Sequence, residues 1–276
     1  MPEIERPDGI RIHWQEVGSG PTVVMSLQFF ALPKVFQGLI DHLSSDFRIV
    51  TYDLRGSGGS SHAGPYEMEV DVGDLIAVIE AAGAPAVLVG AGDGTNRAVW
   101  VASKRPDLAT AVVSPGGNPV GREAARDTDA MVASQSVLDA LRGMMATDYR
   151  GALRSLLTSA NPQMSEEEIR DRVQATAEYC PPEAADARLR GWMADRAADA
   201  AQSLGDRLWI LDSGNNVWFT AGVIEGTRKL LPDAHVEHVE DGPLSRPDIA
   251  AGYVRRAAQL GARPAPTDSA RSSSRS

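Results

Sequence analysis

The chain has 276 residues, of which 43% are hydrophobic and 23% are charged, and its formal net charge is -10. This acidic balance excludes a typical nucleic-acid-binding protein, because phosphate binding needs a surplus of Lys and Arg on some face. No apolar run approaches the roughly 20 residues that span a bilayer, and no secretory signal pattern opens the chain. Together with a single cysteine, Cys180, these features predict a cytoplasmic protein with neither a membrane nor a nucleic-acid partner.

The first part of the chain alternates strand and helix patterns. Residues 9–17 alternate polar and apolar side chains, as an antiparallel edge strand does, and the apolar run at 22–27 predicts a strand buried on both faces. A helix at 34–44, a strand at 47–52, a helix at 70–83, a strand at 86–91, a helix at 95–105 and a strand at 108–113 follow. This alternation predicts a parallel sheet wound by right-handed crossovers.

The alternation of strand and helix patterns stops after residue 117. Only helical patterns follow, at 130–145, 149–157, 166–179 and 183–200, before strands at 207–211 and 234–239 alternate with helices at 220–231 and 248–260. We therefore predict an α/β core of residues 1–117 and 205–261 with a helical lid inserted at 118–204. The Pro-, Ser- and Arg-rich residues 262–276 are predicted to be a disordered tail.

A glycine turn follows the predicted strand at 86–91, where the sequence reads AVLVGAGDGTN from residue 86 to 96. A buried strand that enters a tight turn and then a helix is the setting of a nucleophile elbow. The nucleophile position holds Gly92, which has no side chain to attack a substrate. A shift of one residue would place Asp93 there instead, although a carboxylate at the start of a helix also has a structural explanation. We expect Asn96 and Arg97, one turn further on, to lie on the helix surface.

The loop that reads DLRGSGGS at 53–60 resembles the DxRGxGxS loop of the α/β-hydrolase superfamily, and the order of elements over residues 9–260 is similar. The 14 residues from Gly92 to Pro106 also match the family's spacing. The resemblance implies an α/β-hydrolase fold, with a mostly parallel central sheet, flanking helices and an inserted helical lid. It also implies a degenerate catalytic triad, because Asn216 stands at the position of the acid and Pro243 at that of the histidine. We expect Arg55 in the same loop to be a scaffold residue.

The resemblance further implies an oxyanion hole made by two backbone N–H groups, those of Asp93 and Phe29. Gly92 would leave space beneath these donors. We expect hydrophobic walls and a closing lid around a small-molecule ligand. The residues predicted to line this site are Gln28, Phe29, Phe30, Asn216 and Trp218 from the core, and Met144, Met145, Tyr149, Tyr179 and Trp192 from the lid.

Three functions are compatible with this pattern. The first is a non-hydrolytic enzyme, such as a lyase, a cyclase or a C–C bond-forming catalyst, that acts on a hydrophobic carbonyl compound such as a polyketide-like metabolite. The second is a pseudohydrolase that binds a ligand or a protein, and the third is a hydrolase that uses Asp93 as a relocated nucleophile. We favour the first narrowly, because the elbow glycines and the lid are retained. No metal-ligand spacing is present, so we predict neither a metal nor a cofactor, and the sequence does not indicate the oligomeric state.

Overall fold

The computed structural model describes residues 2–125, 129–160, 164–212 and 220–261. Within them, eight strands form one sheet in the order β1-β2-β4-β3-β5-β6-β7-β8. The strands are β1 (Glu3–Glu5), β2 (Arg11–Val17), β3 (Thr22–Ser26), β4 (Arg48–Tyr52), β5 (Ala86–Gly90), β6 (Ala109–Pro115), β7 (Leu208–Asp212) and β8 (His235–His238). Strands β3 to β8 run parallel, and β2 pairs antiparallel with both β1 and β4. The predicted mostly parallel α/β sheet is confirmed.

Helices cover both faces of this sheet. In the core they are α1 (Gln37–Leu43), α2 (Met68–Ala82), α3 (Asp93–Lys104), α10 (Ala221–Leu230) and α11 (Pro247–Gly261), with short 3-10 helices at Pro33–Phe36 and Gly205–Arg207. Between β6 and β7 lie α4 (Gly121–Ala124), α5 (Asp129–Thr147), α6 (Tyr149–Ala160), α7 (Glu166–Tyr179), α8 (Pro182–Ala194) and α9 (Ala198–Gln202). Every helix in the described ranges is too short or too polar to span a lipid bilayer.

The apolar runs of the central strands reflect burial on both sides of the sheet. Along β5, Leu88 packs into the cluster shared with α2 and α3, whereas Val87 and Val89 pack into the cluster shared with α1 and α11. Successive side chains of a strand point to opposite faces, so a strand covered by helices on both faces must be apolar throughout. This two-sided core fixes the carboxyl ends of β3 and β5, where the candidate site lies.

One predicted helix is divided. The pattern at 183–200 predicted a continuous helix, but the structure has α8 and α9, separated at Asp195, whose backbone is extended (φ -64°, ψ 143°). The Asp195 carboxylate accepts hydrogen bonds from Asn96 Nδ2 at 2.6 Å and Trp100 Nε1 at 3.0 Å, both on α3. These contacts with the core hold the break in place, and the helical periodicity did not predict them.

Candidate active site

The turn between β5 and α3 has the form of a nucleophile elbow. Gly92 precedes the first residue of α3 and has φ 55° and ψ -128°, a conformation that L side chains rarely adopt. Any side chain on Gly94 would collide with the backbone carbonyl of Ser26, so the turn also needs glycine there. The residue in the conformation that only glycine adopts readily is therefore Gly92 itself, while Asp93 already belongs to the helix. This geometry favours the register that places Gly92, not Asp93, at the nucleophile position.

Asp93 reaches from the start of α3 to the loop after β3. One carboxylate oxygen, Oδ1, accepts the Phe29 backbone N–H at 3.1 Å, and the other pairs with the guanidinium of Arg97. The side chain is 3% exposed and does not cap α3, whose N-terminus has no side-chain cap. One of the two predicted oxyanion-hole donors is thus occupied by the protein's own carboxylate.

Arg97 lies at the base of this arrangement and is fully buried, as is Asn96 at 4% exposure. The prediction that both lie on the helix surface is wrong, because α3 packs between the sheet and the inserted helices and leaves no free face at these positions. All three guanidinium nitrogens of Arg97 donate to protein oxygens: Nη1 to Asp93, Nε to Ser26 Oγ at 3.2 Å, and Nη2 to the Leu27 carbonyl. Arg97 therefore serves as an internal counterion.

The protonation of the pair reflects its burial. Desolvation raises the pKa of the Asp93 carboxyl above 3.8, and the charge and hydrogen bond of Arg97 pull it part of the way back. Burial also opposes the charge on Arg97, but the nearby groups, led by Asp93, raise the pKa of that guanidinium. Arg97 is therefore a permanent cation, and Asp93 is the titrating member of the pair.

The pair continues into a longer row of buried charges. Arg97 Nη1 lies 3.8 Å from Asp71 on α2, and Asp71 accepts two hydrogen bonds, at 2.7 and 2.9 Å, from Arg188 on α8. We call Arg188, Asp71, Arg97 and Asp93 the buried charge chain; each is no more than 4% exposed. Its charges alternate in sign and sum to zero, which is the arrangement that buried ions require. It connects the inserted helices to the Phe29 N–H.

A second buried pair supports this chain. Arg55 donates to Asp74 at 2.7 and 2.8 Å and to Asp8 at 2.9 Å, and its own carbonyl accepts from Arg188 at 2.8 Å. The scaffold role predicted for Arg55 is confirmed. Sequence reasoning missed Asp71 and Asp74, although two acids three residues apart among the apolar positions of α2 are a usable signal of buried counterions.

The side chain of Gln28 lies over Gly92. A Cβ added to Gly92 would be 2.9 Å from Gln28 Cβ and 3.1 Å from Gln28 Oε1. Gln28 is half-buried, and its amide makes no hydrogen bond within the described part of the chain. The prediction that Gly92 leaves open space for a pocket is therefore wrong, because the Gln28 side chain fills the space beside it.

The other predicted wall residues belong to one apolar cluster. Phe29 and Phe30 meet edge to face with ring centroids 4.7 Å apart, and Phe29 is 2% exposed. Met145 is equally buried, whereas the Tyr149 hydroxyl donates to the Cys180 carbonyl at 2.8 Å. The structure brings these side chains together as core packing, and the partly buried members of the cluster include Phe30, Met144, Tyr149, Tyr179 and Trp192.

Along the chain, the positions predicted for the acid and the histidine follow β7 and β8. Asn216 and Trp218 are outside the described residues. Pro243 is buried in the turn after β8, where it offers no titratable group. His238, at the end of β8, has a side chain that is 61% exposed, and its Nδ1 lies 3.4 Å from Oδ1 of the buried Asp212.

The described residues were compared with the side-chain groups that bind metal ions. Across the ranges that the structure covers, no group of three or more His, Cys, Asp or Glu side chains is arranged to hold a metal ion.

The fold and the elbow define the class of protein. A family model described as alpha/beta hydrolase fold matches residues 21–162, and the chain belongs to this family. Solved structures with the same fold include an esterase from Exiguobacterium antarcticum, with a TM-score of 0.80 and 16% identity over 92% of this chain and 98% of that one. E-2-(acetamidomethylene)succinate hydrolase has a TM-score of 0.74 and 22% identity over 94% and 98% of the two chains. At these identities the structures show the fold alone.

Two curated relatives come from Mycobacterium tuberculosis. The chain is 37% identical over 117 residues to a probable oxidoreductase, EphD, a match that covers 40% of this chain and 20% of that protein. It is 33% identical over 135 residues to lipase LipV, and this match covers 47% of this chain and 51% of LipV. The chain therefore spans at most about half the length of these relatives.

Proposed function

We propose that this α/β-hydrolase-fold protein is a pseudohydrolase that binds a hydrophobic small molecule and does not catalyse acyl transfer. The observation that carries the proposal is the contact between the Asp93 carboxylate and the Phe29 N–H. An oxyanion hole stabilises the negative charge that develops on a substrate oxygen. A fixed carboxylate on one of its donors removes that hydrogen bond and repels the developing charge.

The residue types at the elbow support the same conclusion. Gly92 provides no nucleophile, and Pro243 provides no general base, which would contribute on the order of 100- to 10,000-fold to the rate. Asp93 is an unfavourable nucleophile because both of its oxygens are engaged and its side chain is 3% exposed. Ester and epoxide hydrolysis are therefore both disfavoured.

A non-hydrolytic reaction on a carbonyl compound is the second candidate. The raised pKa of Asp93 supports it, since a carboxyl that titrates nearer neutrality can exchange a proton with a substrate. It ranks below binding because Asp93 would first have to leave Phe29 and Arg97. This order reverses the narrow preference drawn from the sequence, and the occupied Phe29 donor is the reason.

Two measurements on the purified chain test the proposal. In the first, p-nitrophenyl butyrate and styrene oxide are incubated with the protein, and we expect rates equal to those of the buffer blank. In the second, the neutral fluorescent probe N-phenyl-1-naphthylamine is titrated, and we expect saturable binding. Enzymatic turnover of either substrate, or the absence of saturable probe binding, would contradict the proposal.

Matched variants identify the source of any turnover. Loss of activity in Asp93→Asn would indicate a relocated nucleophile, whereas loss in His238→Ala would indicate that the exposed imidazole beside Asp212 has taken over as the base. Arg246→Ala, in an exposed ion pair with Asp248, is the control for non-specific effects of a substitution.

A further inference from the structure

A cavity of about 260 Å³ lies between the inserted helices α6 and α7. It is far larger than a single water molecule needs, so it has room for a small organic molecule. Six residues line it: Arg150, Gly151, Arg154, Arg170, Val173 and Gln174. Three of them are arginines, none is acidic, and none belongs to the nucleophile turn or to the buried charge chain. The cavity is therefore separate from the candidate active site.

The lining combines a buried apolar side chain with exposed cations. Val173 is buried and belongs to a small apolar cluster of α6 and α7, together with Leu153, Leu157 and Ile169. The three arginines are exposed, and their methylene stems add apolar surface below the charged ends. A ligand in this cavity would contact apolar surface and guanidinium groups at the same time.

Arg150 is the least compensated of these cations. Its guanidinium donates to the neutral Oε1 of Gln174, and it makes no ion pair in the described ranges. Two acids bond to lining residues instead: Glu178 accepts from Gln174 Nε2, and Asp148 accepts the Gly151 N–H at 2.9 Å. The charge of Arg150 is therefore available to a bound anion.

The other two arginines are held by exposed ion pairs. Arg154 pairs with Glu166. Arg170 lies 3.5 Å from Glu167 and 3.4 Å from Asp171. All five side chains are more than half exposed, and exposed pairs contribute little because water screens them. A ligand with two negative charges can therefore displace these carboxylates.

The chemistry of the ligand follows from the three guanidinium groups. Guanidinium forks match the oxygens of phosphate and carboxylate groups in bidentate hydrogen bonds. A phosphate monoester carries about -1.5 to -2 charges at pH 7 and presents three strong acceptor oxygens, whereas a carboxylate carries a single charge. The phosphate therefore competes better with the acids of α7, and its organic substituent can pack on Val173.

We propose that the cavity between α6 and α7 binds a phosphate monoester with a small apolar substituent, and that Arg150 is the principal cation of this site. The site is additional to the proposed binding of a hydrophobic small molecule and does not depend on it.

Isothermal titration calorimetry of the purified chain with n-butyl phosphate tests the proposal. We expect saturable binding to one site. The affinity should be at least about tenfold higher than for inorganic phosphate, because the butyl group buries apolar surface. 1-Butanol should show no binding, since it lacks the charge.

Three glutamine variants test the role of the charges. Arg150→Gln should weaken butyl phosphate binding about tenfold, the effect of losing a hydrogen bond to a charged group. Glu166→Gln removes the acid that competes for Arg154 and should tighten binding about two- to fivefold, a result that damage to the fold would not produce. Arg142→Gln, exposed on α5 and outside the cavity, makes the same change in charge and should bind normally.

A soluble compound or a lipid headgroup can carry the same phosphate group. Sedimentation with vesicles that contain phosphatidic acid, compared with vesicles of phosphatidylcholine alone, distinguishes the two sources. Sedimentation of the wild type that is lost in Arg150→Gln would assign the phosphate to a lipid, whereas butyl phosphate binding without sedimentation would assign it to a soluble compound. If butyl phosphate does not bind the wild type, or if Arg150→Gln and Glu166→Gln both bind it normally, the inference is wrong.

Discussion

Replacement of Asp93 by Ala leaves Arg97 and the Phe29 N–H without the carboxylate that they share. Removing one partner of a buried ion pair typically costs about 3–5 kcal/mol, because the other charge stays buried and unpaired. Since burial raises the pKa of Asp93, the ionised pair stabilises the fold by less than its geometry suggests. We therefore expect a loss near the lower end of that range, about 3 kcal/mol, which is a large share of the roughly 5–15 kcal/mol stability of a typical domain.

Urea unfolding followed by tryptophan fluorescence at pH 7 measures this loss. The double variant Asp93→Leu with Arg97→Leu removes both charges, and apolar replacement of a buried pair is often neutral or stabilising. It should therefore be more stable than Asp93→Ala, and the difference from additivity gives the coupling between the two side chains. Asp107→Ala breaks an exposed pair with Arg105 and should leave stability within experimental error. A loss below about 1 kcal/mol for Asp93→Ala would refute the reasoning, given the expected magnitude for a buried pair.

Three further outcomes are expected. Gly92→Ser should gain no activity on p-nitrophenyl butyrate and should lose about 1–3 kcal/mol of stability through backbone strain. Gly222→Ser, where no atom lies within 4 Å of an added Cβ and φ is not positive, is the control, and gained esterase activity would contradict the proposed function. Because the folded state raises the pKa of Asp93 above 3.8, the native protein holds this proton more tightly than the unfolded chain. Stability relative to Asp93→Asn should therefore fall as the pH rises above 3.8 through the folded-state pKa, and a rise measured by urea unfolding would show that Arg97 dominates instead. Arg188→Ala should remove both hydrogen bonds that Arg188 gives Asp71 and speed amide hydrogen exchange in α8. Arg190→Ala, in an exposed pair on the same helix, should not; equal exchange rates would rule out the link.

The sequence predicted the architecture because the dominant signals were local. The apolar runs that became β3 and β5 are buried on both faces, and such runs are distinctive in a parallel sheet. The glycine turn at Gly92 was also predictable, since its residue types leave few other conformations. Both features depend on short stretches of chain, and their neighbours along the sequence are sufficient to identify them.

The electrostatics of the site could not be predicted in the same way. Arg97 and Asn96 look like surface residues on a helix pattern, but the partners that bury them are distant: Asn96 binds Asp195, which is 99 residues away. Whether Asp93 would cap its helix or face a pocket was left open by the sequence. The structure shows a third arrangement, in which it reaches the Phe29 N–H. The sequence did contain a local signal for the ion pair between Asp93 and Arg97, because the two residues lie four positions apart on a helix.

The buried charge chain also limits how this protein can evolve. A serine at position 92 would not by itself support hydrolysis while the Asp93 carboxylate occupies the Phe29 N–H, and loss of Asp93 alone would leave the buried cation of Arg97 without its nearest counterion. The same holds at the other end, where Asp71 depends on Arg188. Under the proposed function, hydrolysis would therefore require several simultaneous changes, each harmful by itself. Among descendants of this protein, positions 93 and 97 should change together or not at all.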